Sequence, residues 1–353
     1  EEHLVEFKNN VESSFANLSD VSQELFDTYM AAFQYMDGAF NMESHFMEGD
    51  DHITRTFYKR QPQLLRASFN KNLSFEIRAR VLSSVNPNYP DLKTGMLKEL
   101  IDASEPVLQI EAIRSLGARI NDSAAIEILS DISKESSFAE NVRLEAIVGL
   151  GNSLNINQSA QISLSEIIDD QGQPSIIKNE AQHSLELAGI SETSSENNKL
   201  RTNSELRNLG LDKGDGSSGA RVFFSNRYQC ASCHRINGRG GIYGTDLSRV
   251  GSNQGKERII ESILNPDAIV APYYVGYEVT TEDGDLFVGR WDKLIDSKRH
   301  LQMILANGER VAIAYDEIAD QTTLQYSLMP ANLHETMTSA EFRDLVQFLS
   351  ERK

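Results

Sequence analysis

Apolar positions recur at helical spacing through most of the chain and switch to alternation in one stretch near its end. In LFDTYMAAFQYM, Leu25, Tyr29, Phe33 and Met36 fall near one face, so residues 1–75 are expected to form a helical segment. Farther on, IRARVLSSV (77–85), EAIRSLGARI (111–120), EAIVGLGNSL (145–154) and EAQHSLELAG (180–189) align on Ala79, Ala112, Ala146 and Ala181, at spacings of 33, 34 and 35. A near-constant period with a small residue where helices cross, and a partner helix such as AAIEILSDI between, predicts stacked helical hairpins over 76–190. Residues 191–217 are polar and rich in Ser, Asn and Gly, the composition of a linker.

Beyond the linker, 218–353 read as a separate unit. GARVFFSNRYQ predicts a short helix and its exit, ERIIESIL (257–264) a second helix, and MTSAEFRDLVQFLSERK a last one. In that last helix Thr338 and Glu341 make a capping box, and Phe342, Leu345, Val346 and Leu349 share a face. Alternation sets in at about 273–316. Val275, Tyr277 and Val279 precede a turn at Asp283-Gly284; Leu301, Met303 and Leu305 oppose Val311, Ile313 and Tyr315 across Asn307-Gly308. Two hairpins, and hence a small antiparallel β unit inserted between helices, are expected.

The 353 residues exceed one typical domain. The longest apolar run, AIVAPYYV, is far short of the roughly 20 residues a membrane-spanning helix needs. The first residues, EEHLVEFKNN, lack a basic start and an apolar core, so the chain is expected either to be cytoplasmic or to begin after a removed leader. A formal charge of −18 argues against nucleic acid as a partner. The acid excess sits in residues 1–217, with 34 acids against 19 bases, whereas 218–353 hold 18 against 15.

Only two cysteines occur, Cys230 and Cys233, and His234 follows the second. Four readings of C-x-x-C-H compete. Disulfide exchange is expected at a helix start after a strand, but a helix precedes Cys230. A closed zinc site needs more cysteines or clustered histidines. A disulfide across two residues closes a tiny loop and stabilises little. Covalent haem attachment uses every element: two thiols three positions apart each add to a vinyl group of one porphyrin, and His234 becomes an axial iron ligand. Met329, in the loop SLMPANL before a proline, is a natural sixth ligand; His300, His334 and Met337 are weaker candidates. Four arginines and no acid lie between 218 and 245 (Arg221, Arg227, Arg235, Arg239), suited to haem propionates or to a positive rim for an acidic electron partner. Gly238, Gly240 and Gly241 would let the backbone pass close to a porphyrin.

With GARVFF, CASCHRINGRGG, GTDLSRVG, ESILNPDAIVAPYY, TTEDGDLFVG, SLMP and the last helix, the chain resembles the class I c-type cytochrome fold. More closely, it is similar to the haem-binding C-terminal domain of large secreted bacterial proteins, best known from planctomycetes, that combine a sugar-dehydrogenase-like propeller, HEAT-like repeats and a cytochrome module. The period over 76–190 likewise resembles HEAT-type repeats. The resemblance implies a mainly α protein, an α-solenoid followed by a class I cytochrome fold with a β insert, holding one covalent haem c. It implies Cys230, Cys233, His234 and Met329 as haem-binding residues, with Gly244, Thr245 and Leu247 standing at the family's Gly-Pro-x-Leu and Arg239 beside them. Thr245 replaces the proline whose carbonyl accepts from the proximal histidine, and the propeller is absent. The function implied is single-electron transfer, with a sugar or alcohol dehydrogenase as redox partner, the helical repeats as docking scaffold, and a periplasmic, extracellular or surface-bound location. Two other classes stay open: an enzyme or sensor with an open iron site, and an interaction scaffold with a structural haem.

Overall fold

A computed structural model of the chain describes residues 61–102, 105–190, 203–207, 214–292 and 299–353. The helical spacing of Leu25 to Met36 and the expected linker at 191–202 and 208–213 lie outside the described residues. The described residues are mainly helical, with a five-stranded antiparallel sheet among them.

After a helical stretch at 61–68 come α1 (Phe75–Ser83), α2 (Thr94–Asp102), α3 (Pro106–Gly117), α4 (Ser123–Lys134), α5 (Glu140–Gly151), α6 (Gln158–Asp169) and α7 (Ser175–Leu187). α1, α3, α5 and α7 pack each on the next, and α2, α4 and α6 form a second row against them. Ala79, Ala112, Ala146 and Ala181 sit one in each helix of the first row, all buried. A Cβ added to Gly117 would lie 2.9 Å from the Gly149 Cα, so α3 and α5 meet nearly backbone to backbone. Between the rows, Leu97, Leu108, Ile113, Leu116, Leu129, Ile147, Leu150 and Leu164 are fully buried, each stabilising by about 1.5–3 kcal/mol. Asp122 and Asn157 start α4 and α6 by accepting two backbone N–H bonds apiece, a cap of about 1 kcal/mol each.

A short helix, α8 (Asn203–Arg207), falls inside the stretch expected as linker. Its Leu206 is buried in the C-terminal core and Arg207 pairs with Glu261 at 2.6 Å, so this part is tied down by one apolar side chain in a polar context. The C-terminal helices are α9 (Gly216–Phe224), α10 (Cys230–Cys233), α11 (Val250–Asn253), α12 (Lys256–Leu264) and α13 (Ser339–Ser350). Val222, Phe223, Ile259, Ile260, Ile263, Phe342, Leu345, Val346 and Leu349 make their common core. α9 crosses α13 at Gly219, where a Cβ would stand 1.9 Å from the Asp344 carbonyl oxygen; only glycine permits this crossing.

A two-stranded ladder, β1 (Arg235–Ile236) with β2 (Arg239–Gly240), follows the cysteines. The larger sheet holds β3 (Gly276–Thr281), β4 (Leu286–Trp291), β5 (His300–Leu305), β6 (Arg310–Ala314) and β7 (Ile318–Thr323), in the order β6-β5-β4-β3-β7. Gly284 and Gly308 take φ of 87° and 82° in the two hairpin turns, and Leu301 faces Ile313 while Met303 faces Val311. The sheet differs from expectation at its end. Tyr315 is an exposed residue of a 3-10 turn rather than a strand position, and a fifth strand follows it. β7 reads IADQTT with five exposed positions, so it carries no apolar alternation; backbone pairing to β3 makes it a strand. Among the described residues no helix is long and apolar enough to cross a membrane.

Candidate functional site

α9 ends at Ser225, and the chain turns through buried Tyr228 and a left-handed Gln229 (φ 56°) into the single turn of α10. That turn carries Cys230 and Cys233 as free thiols three positions apart, hence on neighbouring parts of one helix surface. Burial pushes the Cys230 thiol up to about 12. It therefore stays protonated at neutral pH, opposite to the lowered value an exchange-active cysteine needs.

His234 closes α10, its backbone N–H donating to the Cys230 carbonyl at 2.8 Å. Its Nδ1 lies 2.8 Å from the Thr245 carbonyl oxygen. A carbonyl only accepts, so Nδ1 carries the proton and Nε2 is left as the lone-pair nitrogen. Burial lowers the imidazole's pKa, with the Thr245 bond opposing in part, which favours the neutral ligand form. The strap between His234 and Thr245 is close-fitting. Gly241 N–H donates to Ala231 and Gly244 N–H to Cys233; a Cβ on Gly244 would meet the imidazole ring at 2.6 Å. Leu247 N–H then returns to the Arg235 carbonyl.

Met329 lies in the loop before α13. Its N–H donates to Ser327 Oγ at 3.1 Å, and Ser327 N–H donates to Asp267 Oδ1 at 2.6 Å, so the loop is pinned to the end of α12. Cys230, Leu247 and Met329 are half-buried and pack against the same apolar core. Thus His234, Gly244 and Thr245 are gathered directly beside the thiols, and Met329 packs with Cys230 and Leu247 against the α9–α12–α13 core.

Arg239 goes elsewhere. Its Nε donates to Glu111 Oε2 at 2.8 Å and its Nη2 to the Glu111 carbonyl and Ser115 Oγ, which places it against α3. Arg227 likewise pairs with Glu180 at 3.0 Å and bonds Ser184 on α7. Two of the four arginines assigned to propionates or a partner rim thus bind the acid-rich helical rows, because those rows supply the nearest carboxylates. His300 is an exposed first residue of β5. Met337 is a core residue, and His334 is buried with Nδ1 lacking a hydrogen-bond partner.

The first row of helices meets the segment that follows α10, where Ser83 Oγ donates to the Asn237 carbonyl at 3.0 Å. Arg114 of α3 holds Glu111 at 2.7 Å and Glu145 at 3.0 Å, and its guanidinium lies 4.6 Å from the Phe224 ring centre. Two cavities of about 370 and 290 Å³ lie along this junction. At its other end Glu341 Oε1 accepts from Tyr228 Oη at 2.7 Å and lies 2.9 Å from His183 Nε2. Sequence reading passed over Tyr228, His183, Glu111 and Arg290; the one local signal was Tyr228, an aromatic two residues before the first cysteine.

Among the described residues no three His, Cys, Asp or Glu side chains gather as a metal site. Compared with known proteins, the chain matches no family model and no curated sequence.

Proposed function

We propose that the chain is a monohaem c-type cytochrome that passes single electrons, with residues 218–353 as a class I cytochrome domain and 76–190 as HEAT-like repeats. The observation that carries this reading is the 2.8 Å approach of His234 Nδ1 to the Thr245 carbonyl, directly after two free thiols on one helical turn. The donor set fits a haem c: Cys230 and Cys233 would hold it by thioether bonds, and His234 and Met329 would ligate its iron. The bound group supplies a one-electron ferric/ferrous couple, which a Met ligand places higher than a second His would.

The chain's own residues do the rest. Thr245 fixes the tautomer and orientation of His234, raising the basicity of Nε2. Gly244 lets the strap lie flat on the imidazole. Asp267 and Ser327 hold the Met329 loop. With two protein side chains ligating the iron, outer-sphere transfer would be the chemistry this arrangement allows. The partner would be a redox protein such as a sugar or alcohol dehydrogenase. The helical repeats would be its docking scaffold, through surfaces other than those of α3 and α7 that hold Arg239 and Arg227. Haem c attachment takes place outside the cytoplasm, so a periplasmic or extracellular location goes with this function.

The test is expression with cytochrome c maturation machinery, followed by spectra of wild type and Met329→Ala in both redox states. A low-spin spectrum with a methionine-to-ferric-iron charge-transfer band, lost in the variant, is expected. A high-spin wild type, or a band indifferent to the substitution, overturns the ligand assignment and favours an open-site enzyme or sensor.

A further inference from the structure

We propose that the five-stranded sheet serves the haem site through Arg290, a positioning residue for His234; the inference rests on the cytochrome reading above.

Four glycines among residues 238–244 leave the strap without stiffness of its own, and Gly238 and Gly240 take φ of 90° and 114°. On one side the carbonyls of Ala231 and Cys233 anchor it. On the other stands Arg290 of β4, 9% exposed, reaching from a sheet that has an apolar cluster of its own. Its Nε donates to the Tyr243 carbonyl at 3.1 Å and its Nη2 to the Ile242 carbonyl at 3.0 Å. The guanidinium lies 4.9 Å from the Tyr274 ring centre, which fixes its plane.

Consecutive carbonyls of an extended chain point to opposite sides. Here two of them converge on one cation, so the fork imposes a bend at Ile242-Tyr243, two residues before the carbonyl that receives His234. A planar guanidinium spans both acceptors at once, whereas a lysine ammonium is a point charge on a flexible stem. Arg290 thereby sets the direction of the Thr245 carbonyl, and through it the strength of the Nδ1–H bond that tunes the axial nitrogen. The insert on this view holds the proximal side of the haem site rather than lying over it as a decoration.

The experiment uses the matured, reduced full-length protein and follows exchange of the His234 Nδ1 proton with solvent by NMR, in wild type, R290M and R290K. Exchange about tenfold faster is expected in both variants, because the local opening that exposes Nδ1 loses its clamp. The amides of Ala112 and Leu116 serve as controls and keep their protection. Should R290M fail to fold, R290K alone decides. Exchange within about twofold of wild type in R290K overturns the fork argument. Wild type lacking covalent haem overturns the underlying reading instead, and the same proton read in the unloaded chain still reports on the clamp.

Discussion

Glu341 joins three parts of the molecule, and acid should release them together. Oε1 meets Tyr228 and His183, while Oε2 accepts from the Thr338 N–H and hydroxyl at 2.9 Å each. Burial alone would raise its pKa, but the His183 bond and charge, with donors from Thr338 and Tyr228, outweigh burial and bring it down to about 2. A fall from the ordinary 4.5 to about 2, at roughly 1.4 kcal/mol per unit, corresponds to about 3 kcal/mol. Because the folded value is depressed, this stability is fully present above pH 4.5 and is lost as pH falls toward 2. Urea unfolding of wild type and Glu341→Gln, followed by circular dichroism from pH 7 to 2.5, isolates it from the other carboxylates. Wild type is expected to exceed the variant by about 2–3 kcal/mol at pH 7, the gap closing as pH drops. A gap constant over that range would refute the reasoning, since it would mean that the Glu341 carboxyl binds its proton equally well folded and unfolded.

Gly219→Ala forces a methyl against the Asp344 carbonyl and should cost at least about 2 kcal/mol, read as a lowered thermal midpoint; an unchanged midpoint would show that α13 shifts freely. In Glu111, burial would raise the pKa but Arg239 and Arg114 hold it down. Glu111→Ala takes the carboxylate from Arg239 while Arg114 keeps Glu145, and is expected to cost about 3 kcal/mol; a loss below about 1 kcal/mol in urea unfolding would mean that the junction is solvated. In the unloaded chain, alkylation of Cys230 should be slow at pH 8 and rise only toward pH 12. Rapid labelling at neutral pH would return the disulfide-exchange reading.

Much of the local architecture was legible because its causes are local. The Thr338/Glu341 box, the positive-φ glycines of the two hairpins and the alanines at 33 to 35 residue spacing each involve a few neighbouring residues or a repeated one. The thiol pair and its histidine likewise declare themselves within five positions. Where local causes were weak, the reading missed: β7 has no alternation, and Leu206 is a single apolar residue in a polar stretch.

Composition and spacing determined that this chain has helical rows, a β insert and a C-x-x-C-H turn with a following methionine loop. Only the tertiary structure decided what the charges are for. Arg239 meets Glu111 across 128 positions and Tyr228 meets Glu341 across 113. With 34 bases and 52 acids in the chain, spacing cannot select such pairs. Packing selects them, since a buried cation must find whichever carboxylate or carbonyl the fold puts beside it.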